Sequence, residues 1–153
     1  MRHRPAALML TGLLALGLVA CSGGGSDEGI TKSEFLAKAT KVCNATRKEI
    51  DAAAEQMDPT DPQALSKFVV QASTEILDEI QTLRDIGFPA GDDGLLDKAF
   101  GVYEDRFAKW QDDPSAAATG ASDKELIAAG KVLESYGLPA CGADLGKGKG
   151  KGD

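Results

Sequence analysis

The chain has 153 residues, with 17 Lys plus Arg against 24 Asp plus Glu and a formal net charge of −7. Such an acidic chain repels nucleic acid and anionic lipid, which argues against either as a partner held by charge. The one histidine is His3, so Ser-His-Asp and Cys-His catalysis, histidine zinc sites and Glu-x-x-His di-iron bundles are excluded for the rest of the chain.

Arg2 and Arg4 precede an uncharged run of apolar and small residues from Ala6 to Ala20. Its 15 residues suit a signal-peptide h-region and are short for a membrane-spanning helix. Leu18-Val19-Ala20-Cys21 closes the run and resembles the lipobox of bacterial lipoproteins. In that family the cysteine thiol takes a diacylglycerol and a peptidase cuts just before it. The resemblance implies a signal peptide over residues 1–20 and a lipidated Cys21 as the first mature residue. It implies attachment to a cell membrane, on the extracytoplasmic side, through that anchor. Residues 21–29 then read as the lipidated cysteine and a flexible Gly/Ser tether.

The chain has three cysteines. With Cys21 taken by lipid, Cys43 and Cys141 remain as one pair, and disulfides persist in exported proteins. A Cys43–Cys141 bond is therefore expected. From Cys21 to Gly142 there are 12 Lys plus Arg and 22 Asp plus Glu, a net of −10.

The folding body spans residues 30–142, one domain of ordinary size. Thr31-Lys32-Ser33-Glu34 is a capping box, with Ile30 and Phe35 placed as a hydrophobic staple. Apolar or small residues follow at helical spacing through Met57. Asp58-Pro59-Thr60-Asp61-Pro62 ends that helix, and Asp61 with Pro62 opens the next. The second helix carries the stripe Leu65, Val69, Ala72, Ile76, Ile80 and Leu83 and stops at Gly87-Phe88-Pro89. Asp92 or Asp93 is expected to cap the third, whose wide apolar face runs from Leu95 to Trp110. After Asp112-Asp113-Pro114 the small residues read as a frayed helical turn. Ser122-Asp123-Lys124-Glu125 is a second capping box, and the fourth helix runs to Tyr136, stopping at Gly137-Leu138-Pro139. Residues 143–153, rich in Gly and Lys, predict disorder.

No stretch alternates as a strand does. The expected fold is all-α, an up-down-up-down antiparallel four-helix bundle with one disulfide. In that topology the segment after Pro139 has to turn back along the bundle for Cys141 to reach Cys43.

A tethered helical domain with one cysteine in its first helix, closing on Tyr136-Gly137-Leu138-Pro139-Ala140-Cys141-Gly142, resembles a group of small actinobacterial lipoproteins. The resemblance implies an envelope location and the Cys43–Cys141 pair, and no active site.

Phe100, Tyr103, Phe107 and Trp110 form an aromatic stripe on the third helix. Stripes at this spacing usually belong to a core, but this one also suits a face for an apolar ligand, haem included, with Tyr103 or Tyr136 as an iron ligand. The pairs Asp92-Asp93 and Asp112-Asp113 offer oxygen ligands for calcium, yet match no calcium loop, and cap positions explain them better. Asn44-Ala45-Thr46 fits a glycosylation sequon by chance, mid-helix. Lys147, Lys149 and Lys151 read as a solvated tail rather than a contact for anionic wall polymer. No carboxylate is read as lying within an apolar stretch, so no enzyme chemistry, metal or cofactor is expected. The functional expectation is an anchored binding or interaction module for an envelope protein, with a small haem or lipid carrier as the alternative.

Overall fold

The computed structural model describes residues 29–142. The expected signal peptide, Cys21, the tether up to Glu28 and the tail from residue 143 lie outside the described residues. Among the described residues all regular structure is helical, without a strand. The elements are α1 (Lys32–Gln56), α2 (Pro62–Ile86), α3 (Asp93–Asp112), a 3-10 helix (Pro114–Ser122) and α4 (Lys124–Tyr136), forming a helical bundle.

Local chemistry sets most of the boundaries. The Glu34 N–H donates to Thr31 Oγ1 at 3.3 Å, and the Thr31 N–H donates to Glu34 Oε2 at 3.1 Å, closing the capping box. Ile30 packs against the core beside the fully buried Phe35. At α2, Asp61 Oδ1 accepts from the Gln63 N–H at 2.8 Å, and Pro62 takes the first helical position. Gly87 and Gly137 both take positive φ, 80° and 112°, which favours glycine. After α4, the Gly137 N–H donates to the Glu134 carbonyl at 3.1 Å and the Leu138 N–H to the Leu133 carbonyl at 2.8 Å. That bond pair is a Schellman stop, completed by contact between two fully buried leucines, Leu133 and Leu138.

Packing follows chain order: α1 on α2, α2 on α3, α3 on α4, with the 3-10 helix against α2 and α3. The segment after α4 and the Cys43–Cys141 disulfide join α4 to α1. Phe88, just beyond α2, stacks on Phe100 of α3 at 5.8 Å and meets Phe35 of α1 edge-on at 5.6 Å. Phe35 also meets Tyr136 at the end of α4, at 6.3 Å. Each such side chain removed from water contributes about 1.5–3 kcal/mol. Arg84 clamps α2 to α3 through Glu104, at 3.1 and 2.8 Å, and through Asp97.

Three expectations are corrected. Asp123, not Ser122, caps α4: its Oδ1 accepts from the Glu125 and Leu126 N–H groups, while Oδ2 accepts from Arg106 of α3. The arginine fixes the aspartate at the cap. Asp92 occupies the cap position of α3 but makes no cap bond; its carboxylate instead accepts from the Tyr136 hydroxyl at 2.8 Å. Leu65 and Leu95, counted on apolar faces, are exposed. α1 and α2 have 25 residues each against 13 in α4. The helical turn expected after Pro114 is present as the 3-10 helix.

Candidate functional site

The polar centre of the bundle forms where α1, α2, α3 and the segment after α4 meet. Cys43 comes from the middle of α1, and Cys141 from a turn in which the Cys141 and Gly142 N–H groups both donate to the Leu138 carbonyl at 3.1 Å. Their Cα atoms lie 5.1 Å apart. The turn runs back along α4. A side chain on Gly142 would come within 2.6 Å of the Gly130 carbonyl oxygen, and one on Gly130 within 3.0 Å of the Tyr103 hydroxyl. Two glycines six residues of helix below the Schellman stop thus make the notch through which Cys141 reaches α1.

Glu79 of α2 lies against this joint, and its carboxylate and the two cysteine sulfurs fall within 4.8 Å of one another. All three residues are buried. Burial pushes the Glu79 carboxyl up to about 7; Thr46 and the Arg47 charge oppose the shift without cancelling it. Tyr103 of α3 faces the same region. Burial first, and then the nearness of Glu79, pushes its phenol up to about 12. The Tyr103 hydroxyl and the Ser73 hydroxyl are buried without a hydrogen-bond partner among the described residues.

Glu79 overturns the expectation that no carboxylate sits in an apolar stretch. The signal was present: position 79 follows Ile76 by three and precedes Leu83 by four, on the buried stripe of α2. A glutamate flanked by Asp78 and next to the apolar Ile80 reads as solvent-facing.

The four aromatic residues of α3 are buried, 1–7% exposed. Tyr103 stacks on Phe107 at 5.9 Å, and Phe107 meets Trp110 edge-on at 4.7 Å. The stripe therefore fills space against itself. Trp110 is the only tryptophan, so its fluorescence reports this packing directly. Acrylamide should quench it weakly in the native state and strongly after unfolding; strong native quenching would mean an open aromatic face.

The other named residues are engaged elsewhere. Tyr136 donates to Asp92, Lys32 lies over its ring at 3.9 Å, and burial with Asp92 raises its phenol pKa. Asp113 accepts from the Ser115 N–H at 3.1 Å and from its hydroxyl at 2.5 Å. Asp93 and Asp112 are exposed. Between α1 and α2 lies an open groove of about 530 Å³ lined by residues that include Glu49, Met57, Phe68 and Glu75. Within it, burial and the neighbouring Glu49 raise the Glu75 carboxyl. No helix among the described residues is long and apolar enough to cross a membrane. No family model, curated protein or solved structure matches this chain.

Proposed function

We propose that this chain is a membrane protein anchored by lipid at Cys21, whose helical domain acts outside the cytoplasm as a binding or interaction module and not as an enzyme. The lipobox-like Leu18-Val19-Ala20-Cys21 supports the anchor, and the two-cysteine remainder supports an oxidising compartment. The closed aromatic stripe is the observation that carries the choice of module over carrier. A haem or lipid taken up by Phe100, Tyr103, Phe107 and Trp110 would have to displace rings already packed on one another.

The proposal includes the finer architecture: helices running up-down-up-down, a tether over 21–29 and a free tail over 143–153. The meeting at one end of Phe35 near the start of α1, Phe88 beyond α2, Asp92 before α3 and Tyr136 closing α4 supports that topology. The partner is an envelope protein that tolerates or prefers an acidic surface.

Native mass spectrometry of protein purified from its own envelope separates the readings. A co-purifying protein with no retained small molecule is expected. A stoichiometric haem or lipid held by the domain would replace the module with the carrier.

A further inference from the structure

We propose that, once the disulfide is reduced, Cys43, Cys141 and Glu79 form a binding site for one zinc-class divalent cation. Two thiolates and a carboxylate are a donor set that such ions accept, at about 2.3 Å to sulfur and 2.0–2.2 Å to oxygen. In a tetrahedral site those lengths put ligand atoms roughly 3.5–3.8 Å apart. The three donor atoms already lie within 4.8 Å of one another; on reduction the two bonded sulfurs have to separate and the carboxylate to close in, shifts of about 2 Å or less.

The donors come from α1, from α2 and from the turn after α4. A cation held by them would join the same three elements where the disulfide joins two. Each donor is buried, at 1% exposure for Cys43, 4% for Cys141 and 9% for Glu79, so a bound ion would be shielded from water on most sides. The Tyr103 hydroxyl is an independent pointer. It is buried at 3% exposure, has no hydrogen-bond partner among the described residues, and lies at the Gly130–Gly142 notch. A water on the fourth position of the ion would give it one.

The redox step balances simply. A dithiol or phosphine reductant supplies two electrons, and two protons complete the cysteine thiols. Cation binding then forms two metal–sulfur bonds and one metal–oxygen bond and releases to solvent both thiol protons and, where Glu79 is protonated, its carboxyl proton. The site exists only in the dithiol state, so the same pair of cysteines alternates between a covalent and a metal cross-link.

The test uses the described domain with its flanking segments, reduced by a phosphine without oxygen and titrated with Cd2+, whose thiolate complexes absorb in the ultraviolet. One Cd2+ per monomeric chain is expected for the reduced protein and none for the oxidised protein. Glu79→Gln should keep its helical circular dichroism and bind Cd2+ roughly tenfold more weakly or worse, since loss even of groups supporting a metal ligand has that effect. Zn2+ should compete for the site. Four outcomes each overturn the proposal: no Cd2+ bound by the reduced protein, equal affinity in Glu79→Gln, one ion shared between two chains, or a reduced chain that unfolds and does not regain helix when Cd2+ is added.

Discussion

Reduction of the Cys43–Cys141 bond, or Cys43→Ser, will lower the melting temperature by more than about 10 °C while leaving most of the helix content at low temperature. The bond spans 98 residues of sequence, nearly the whole described domain. In the chain-entropy picture a loop near 100 residues is worth about 4.7 kcal/mol, through restriction of the unfolded chain. For a domain of this size each kcal/mol moves the midpoint by several degrees, roughly 2–8 °C. Helix content should survive because the Phe35, Phe88, Phe100 and Tyr136 cluster and the Arg84–Glu104 clamp do not involve sulfur. The part that should loosen is the turn after α4, which the bond ties to α1. Thermal scans by circular dichroism, with and without reductant, measure both. An unchanged midpoint would mean that the turn is held by packing alone.

Glu79→Gln will stabilise the protein at neutral and alkaline pH and remove a pH dependence that the natural chain shows. The Glu79 carboxyl titrates near 7 in the folded state, against 4.5 for an ordinary glutamate. Between those values the folded chain holds a proton that the unfolded chain has lost, so stability falls as pH rises from about 4.5 to 7 and is level above. At about 1.4 kcal/mol per pH unit the span is roughly 3 kcal/mol. Glutamine keeps the shape and carries no charge, so its advantage should be near zero at pH 4.5 and near that full span at pH 8. Arg47 of α1 opposes the burial of the charge, while the Tyr103 phenol stays protonated throughout this range. Glu34, Asp58, Asp113 and Asp123 have carboxyls held low, by hydrogen bonds to Thr31, Thr60, Ser115 and Leu126 foremost, and their stabilisation is lost only on further acidification. The difference between variant and natural protein in urea unfolding isolates Glu79. A difference that is flat from pH 4.5 to 8 would contradict a buried carboxyl.

The residues that were legible in advance are those whose signals are local. Thr31 and Glu34 read each other three residues apart, Asp61 and Pro62 are adjacent, and Gly137-Leu138-Pro139 carries its stop within itself. The cysteine pair was legible by counting. What failed depends on partners far along the chain. Tyr136 draws Asp92 off its cap from 44 residues away, and Arg106 fixes Asp123 from 17 residues away. Leu65 continues the apolar stripe of α2 and is nevertheless exposed, since burial depends on which elements pack against that end of the helix and no feature of α2 contains that. Glu79 stands between these cases. Its spacing marks it as buried, while its charge marks it as exposed, and only the joint of four elements around the disulfide decides for burial.

The lipid-anchored, extracytoplasmic reading is tested most directly by the intact mass of the protein extracted with detergent from its own membrane. The expected mass is that of a chain starting at Cys21, carrying a diacylglycerol on sulfur and lacking two hydrogens for the Cys43–Cys141 bond. Cys21→Ser should give an uncleaved chain without lipid. A natural chain that still carries residues 1–20, bears no lipid and has three free thiols would contradict both the anchor and the compartment.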